Sequence, residues 1–457
     1  MKFRNIIQSL VLLVSLAWVS SCDFGDLNVD PANPDAVPVQ ALLPTIEVRQ
    51  AYLYGGDMAR YNAMFTQHFN GVSRQSLVIG RYNFTSSDVN SAWNQMYRGA
   101  FRDLKVLIDL ADAQGATHYS AVGKILQANM IGLASDMWGN VPFTEAGLGT
   151  ENLAPAYDSR DEIYSSVHSL LQDARAALAV RTDLPVGSED YFYASVNTDY
   201  APLWIKAAFA LDARYYLHRG DLVNALEAAK VSFASEAEEL TFASFSESPT
   251  ESHPLFQFID QRGDTRMGEF FVELMKANSD PRLPFFVAEF GDTGEYIGVP
   301  AGDDSEGSEA GPFYNNRSAT VPFISYSEVK FIEAEVLLRQ GGDYQTPLRE
   351  AIRSSVEVVT GVENDDFVDA QVASVTDLEG LILQKYVALF YQPETFNDLR
   401  RTGFPALSPA QGASQEQSGG DIPNRWPYPI NEQLFNKENF DANNPSGPPL
   451  VPELGWE

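Results

Sequence analysis

Cysteine is nearly absent: the 457 residues contain one, at position 22. A single thiol excludes an intramolecular disulfide and any multi-cysteine metal centre. Basic residues are scarce, 31 Lys and Arg against 62 Asp and Glu. That balance excludes the basic footprint of a nucleic-acid binder and a polybasic membrane patch, and it suits an uncharged or cationic ligand better than a polyanion. The five histidines (His68, His118, His168, His218, His253) form no HExxH pair. No GxSxG elbow and no GxxxxGK phosphate loop occurs, so the common hydrolase and nucleotide signatures are missing. No catalytic residue, metal ligand or cofactor is assigned, and a non-enzymatic role is expected. Hydrophobic residues make up 44% of the chain, enough for a large core.

The lone cysteine has a telling position. Lys2 and Arg4 precede a mostly apolar run, Ile6 to Val19, and the small residues Ser20 and Ser21 lead into Cys22. This is the outline of a secretory signal, too short to span a membrane, which takes about 20 apolar residues. The small-small-Cys ending resembles the lipobox of bacterial lipoproteins, with Val19 where Leu is more usual. Residues 1–21 are therefore expected to be a signal peptide and Cys22 the lipid attachment point, with plain secretion and an incidental thiol as the alternative. Cleavage leaves 29 basic and 62 acidic side chains, a net charge of −33.

After a Pro- and Gly-containing lead-in over 23–38, helical periodicity dominates. The pattern predicts helices over about 38–54, 57–74, 88–114, 117–137, 159–180, 200–219, 221–235, 265–278, 325–340, 345–359 and 376–391, with loop-rich stretches at 240–264 and 280–323. Two helix pairs look alike. "AAFALDARYYLHRGDLVNALEAA" (207–229) turns at Arg219-Gly220-Asp221, and "FIEAEVLLRQGGDYQTPLREAI" (331–352) turns at Gly341-Gly342-Asp343. Small residues on facing helices suit tetratricopeptide-like hairpins, although no strict 34-residue period runs through the chain. The fold class expected is all-α: degenerate tetratricopeptide-like helix pairs carrying an irregular, loop-rich ligand-binding half, with 22–457 as one domain.

Aromatics reach 12%. Tyr82 lies beside Arg81 in the polar turn "GRYNFTSSD", Trp93 and Tyr97 are a helical step apart, and Tyr296, Phe313 and Tyr314 stand among Gly, Asn and Ser. Ring faces flanked by amides and guanidinium groups are the equipment of sugar or peptide recognition. Arg81, Tyr82, Trp93, Tyr296, Tyr314 and Asn315 are accordingly the candidate ligand contacts. Core packing is the competing role for Trp93 and Tyr97, and loop packing for Tyr296 and Tyr314. The acidic run Asp303, Asp304, Glu306 and Glu309 matches no EF-hand spacing, and a solvated loop is its expected state.

Seven blocks carry a family resemblance: "CDFGDLNVDPANP" (22–34), "LASDMWGNVPFTEA" (133–146), "YDSRDEIYSSV" (157–167), "SDPRLPFF" (279–286), "ISYSEVKFIEAEVLL" (324–338), "QKYVALFYQPETFNDLRRTGFP" (384–405) and "IPNRWPYPINEQLFNKENF" (422–440). Together they resemble the SusD/RagB family of outer-membrane nutrient-binding lipoproteins, in its SusD-like lipoprotein branch. The resemblance implies a single all-α domain on four tetratricopeptide-like helix pairs. It implies a SusC-like, TonB-dependent β-barrel partner over which the protein closes as a lid, delivering an oligosaccharide or a peptide. It also implies a lipid anchor in the outer membrane facing the medium, and no covalent chemistry. The matching motifs read as structural: Asp280-Pro281-Arg282 as a turn, Arg400 and Arg401 as braces of a helix end, and Asp136, Trp138 and Gly139 as a helix terminus. Two other functions compete, a tetratricopeptide-type scaffold for an outer-membrane complex and a surface glycoside hydrolase.

Overall fold

The computed structural model describes residues 37–195 and 197–455. Cys22 and the 1–21 segment lie outside them. In chain order the structure comprises α1 (Val39–Leu53), α2 (Ala59–Phe65), β1 (Phe69–Gly71), α3 (Arg74–Gly80), α4 (Asn90–Asn94), α5 (Arg102–Gln114), α6 (Thr117–Trp138), α7 (Arg160–Leu178), α8 (Ala201–His218) and α9 (Leu222–Lys230). Then follow β2 (Leu240–Phe242), α10 (Pro254–Arg262), β3 (Thr265–Met267), α11 (Glu269–Ala277), α12 (Leu283–Phe286), β4 (Val321–Ile324), α13 (Tyr326–Gln340), α14 (Gln345–Thr360), α15 (Asp365–Ser374), α16 (Leu378–Ala388) and α17 (Glu394–Thr402). Three short helices close the chain: α18 (Gln415–Ser418), α19 (Ile430–Phe435) and α20 (Lys437–Asn443). Two π-helical turns, Tyr54–Met58 and Gln95–Phe101, join α1 to α2 and α4 to α5.

Antiparallel helices form the frame, packed in the order α5, α6, α7, α8, α9, α13, α14 and α16. Local signals place their ends. Ser159 and Glu162 make a reciprocal capping box at the start of α7, and Ser325 caps α13 by accepting from the Glu328 amide. Asp221 caps α9 directly after the α8 turn, and Gly341, at φ 72°, ends α13 in the left-handed region. Close approach depends on small residues. At Gly132 in α6, a Cβ would lie 2.3 Å from the Tyr215 ring on α8.

Two antiparallel strand pairs, β1 with β3 and β2 with β4, tie the irregular half to this frame. They also correct the sequence reading. The helix expected over 57–74 stops at Phe65: Gln67 takes a positive φ of 59°, and the chain then pairs with β3. The helix expected from 265 starts four residues later for the same reason. Helical segments also appear where loops or nothing was expected, notably α10 and α15. In α10, Pro254 occupies the first turn and the His253 ring accepts from the Leu255 amide.

Two features seal the interior. Trp138, Trp426, Phe84, Tyr61 and Trp93 form an edge-on aromatic cluster. In it the Trp138 indole donates to the Pro427 carbonyl, and the Trp426 indole to Asn62. Beside it runs a buried charge network. Arg214 donates to both oxygens of Glu328, each at 2.7 Å, and to the Phe323 carbonyl of β4. His218 bridges Glu394 at 2.8 Å and Asp136 at 3.3 Å. Burial pulls the His218 pKa down, but the Glu394 and Asp136 charges outweigh it and hold the ring at about 9. Arg401 clamps Glu335 and Asp398, and Lys385 also pairs with Asp398. Burial opposes ionisation of Glu335, yet Arg401 holds it down to about 2. Arg400 donates to the Asp136 carbonyl and Arg282 pairs with Asp280, so these motif residues brace helix ends and a turn.

Candidate functional site

The groove is built on the two π-turns. A π-turn widens the helix by one residue, and such bulges recur at functional sites because they push side chains off the regular stripe. In "YLYGGDM", the wide turn at Tyr54–Met58 includes Gly56 at φ −100°, ψ −115°, outside helical geometry. It sets Asp57 against Arg60, whose guanidinium donates to it at 2.7 Å. That guanidinium lies between the rings of Tyr61 and Phe258, 4.4 and 4.2 Å from their centroids. Phe258 comes from α10. The neighbouring Gln257 amide donates to the Ser252 carbonyl and the Tyr52 hydroxyl, and Tyr52 donates in turn to the Thr250 and Ser252 carbonyls. Tyr52, Asp57, Arg60, Gln257 and Phe258, with Gln261 and Ser91, line a concavity of about 310 Å³.

Gln95, whose amide donates to Ser91 at 3.0 Å, stands between this lobe and a second one. The second lobe, about 520 Å³, lies over the Gln95–Phe101 π-turn. Asn94, Tyr97, Gly99, Gly147 and arginines from α1, the π-turn and α5 line it. Both volumes fall within the range of small-ligand sites, roughly 300–1,000 Å³. Asp57 is the single carboxylate lining either lobe among the described residues.

The residues singled out in the sequence are placed differently. Arg81 and the 291–317 segment do meet: the Arg81 Nε donates to the Gly302 carbonyl at 2.8 Å. Tyr82 is fully buried, and its hydroxyl accepts from the Ala410 amide. Trp93 is buried edge-on against Trp138 and does not line the second lobe. Tyr314 is buried among His253, Phe313, Phe390 and Tyr391. These three rings present no open face, because each fills space between the helical frame and the loops that cross it. Tyr296 is half-buried on the 291–299 loop, and Asn315 turns its amide back to the Ala310 carbonyl. Tyr314 lines a small space of about 50 Å³, room for water but not for a sugar. Glu239 lines the same space, and burial pushes its carboxyl up to about 7 against the opposing hydrogen bond from the Tyr326 amide.

Tyr52, Phe258 and the Asp57–Arg60 pair were missed. The signal was present in part: two glycines followed by an aspartate interrupt an otherwise helical pattern, which marks a break. Phe258 was not reachable, since it falls in a stretch read as loop. The acidic loop gathers no ion site. Arg266 pairs with Glu306 and Glu309, and Asp303 accepts from the Ser305 amide. No group of three or more metal-ligating side chains occurs among the described residues.

The architecture is shared with solved proteins. It is similar to a SusD/RagB family protein from Bacteroides thetaiotaomicron, at 21% identity and TM-score 0.80, covering 92% of this chain and 100% of that one. It is also similar to a SusD homolog from Bacteroides uniformis (17% identity, TM-score 0.77, 92% and 99% coverage). A third is a chitin-binding SusD homolog from Flavobacterium johnsoniae (18% identity, TM-score 0.76, 92% and 98% coverage). No curated protein sequence matches. These likenesses define the fold, a SusD-type helical frame. The family model SusD-like_2, described as starch-binding associating with outer membrane, matches residues 31–429, and the chain belongs to that family. No helix among the described residues is long and apolar enough to cross a membrane.

Proposed function

We propose that this protein is a lipid-anchored surface lipoprotein that captures an oligosaccharide in the two-lobed groove and delivers it, as a lid, to a SusC-like TonB-dependent β-barrel. The observation that carries the reading is the groove itself, whose lining combines the aromatic residues Tyr52 and Phe258, the side chains of Gln95, Gln257 and Gln261, and one carboxylate paired with Arg60. Such a surface stacks on sugar C–H faces and bonds hydroxyls without attacking them. Glycoside hydrolysis takes two carboxylates about 5–10 Å apart, and among the described residues Asp57 alone lines the groove as a carboxylate, which favours binding over catalysis. The family's outer-membrane description and the Cys22 lipobox support the anchor and its location.

A protein partner has its own support. Leu153, Leu434 and Phe435 are 77%, 65% and 75% exposed. Asn436 and Asn439 hold their two segments together through the Pro155 and Ala154 carbonyls. An apolar patch of this kind gives a neighbouring barrel or loop a foothold. The test is affinity capture of the lipoprotein from solubilised outer membranes, with co-purifying protein and glycan identified by mass spectrometry. A large β-barrel carrying bound glycan is expected. A bound peptide would change the ligand class. Recovery of the lipoprotein alone, under conditions that keep other barrel complexes intact, would favour the scaffold or hydrolase alternatives.

A further inference from the structure

We infer that the second lobe is an anion subsite, and that the oligosaccharide taken up carries acidic groups, either uronate carboxylates or sulfate esters. The inference rests on the binding role proposed above and narrows its ligand class.

The chain has two acidic residues for every basic one, so a patch of arginines without carboxylates runs against its composition. The second lobe has that character. Arg49, Arg98 and Arg102 line it, and among the described residues no Asp or Glu does. Three separate elements supply them: α1, the Gln95–Phe101 π-turn and the first residue of α5. Arg98 and Arg102 are four residues apart on one helical face, where like charges repel each other. Neither is paired with a carboxylate among the described residues. Arg49 has one acidic neighbour, Asp103, at the long distance of 3.6 Å.

Glycines shape the seat. At Gly99, a Cβ would stand 2.7 Å from the Arg49 Nη1, so the missing side chain lets the guanidinium lie close against the π-turn. Gly147, at φ 76°, opens the opposite wall, and a Cβ there would meet the Lys105 stem at 3.2 Å. All three guanidinium groups keep exposed donor edges, and planar forks match the two oxygens of a carboxylate or sulfate. The overall negative charge does not cancel this. At physiological ionic strength screening acts over about 8 Å, so a ligand group in the lobe responds first to the arginines beside it. Composition pointed toward neutral or cationic ligands, and the local arrangement reverses that expectation. Gln95 lines both lobes, so they lie side by side. A neutral ring on Tyr52 and Phe258 and an acid group on the arginines then belong to one chain of sugars.

The test applies the detergent-solubilised mature lipoprotein, and its Arg98→Gln/Arg102→Gln variant, to an array of neutral, uronate-containing and sulfated oligosaccharides. Both replaced side chains are exposed, so the variant should melt with the parent, and a melting curve checks this. Retention of acid-bearing glycans is expected, falling at least ten-fold in the variant and declining as salt rises. Preference for uronate over sulfate spots, or the reverse, identifies which acid the site takes. Acidic glycans held equally by parent and variant would overturn the arginine assignment. Retention of neutral glycans alone would overturn the inference and leave the binding role standing. Retention of none would count against both.

Discussion

Replacing Arg214 with Met tests whether the buried charge network holds the helical frame together. Arg214 sits on α8 with 3% of its side chain exposed, and Glu328 on α13 has none. The substitution removes the bidentate pair, the bond to the Phe323 carbonyl and the 3.1 Å contact with the Tyr54 hydroxyl. It leaves Glu328 buried without its cation. Breaking a buried pair from one side costs about 3–5 kcal/mol, because the surviving charge keeps its desolvation penalty. The unfolding entropy near 60 °C is about 2.1 cal/mol/K per residue, or roughly 0.9 kcal/mol/K for a body of this size. The expected fall in Tm is therefore about 3–6 °C by differential scanning calorimetry. The double variant Arg214→Met/Glu328→Met, which removes both charges and keeps the volume apolar, should regain most of it. A single variant melting within 1 °C of the parent, or a double variant no better than the single, would refute the account.

Gly132→Ala should cost about 1–3 kcal/mol by overpacking against Tyr215, read as a lower urea midpoint at unchanged slope. An unchanged midpoint would mean that α6 and α8 can separate more easily than their contact implies. The His218 pair predicts a pH effect of definite sign. Its folded pKa of about 9 lies above the ordinary 6.5, so its stabilisation is complete below about pH 6.5 and is lost as pH rises through 9. The Tm gap between parent and His218→Gln should narrow over that interval; a constant gap would count against a charged His218. Cys22→Ala should abolish metabolic labelling with palmitate and move the protein out of the membrane fraction, and persistence of both would refute the lipobox reading.

The helical frame was legible because its elements announce themselves locally. The capping box at Ser159 and Glu162, the Asp221 cap and the Gly341 stop all act within a few positions of chain. The irregular half was not. β1 is chosen by β3 almost two hundred residues away, and that pairing overrides a respectable helical pattern over 66–74. The site failed for a related reason. An aromatic among Gly and Asn looks the same in sequence whether its ring faces out or, as with Tyr82 and Tyr314, plugs a seam between layers. The resemblance to the SusD/RagB family rests on blocks such as "LASDMWGN" and "LRRTGFP", and these hold Asp136, Trp138, Arg400 and Arg401 in the braces. It therefore located the fold while saying little about the groove.

The aromatic cluster has a consequence for the order in which the chain is completed. Trp426 donates its main-chain amide to Met137 and its indole to Asn62, partners 289 and 364 positions earlier. Contacts so remote in sequence are late to form, since the intervening chain must first be brought together. Until residues 422–430 are synthesised, Tyr61, Phe84 and Trp138 lack the ring that covers them. The interior of the frame therefore stays open until the last segment of the chain is in place, and the C-terminal stretch acts as its closing piece.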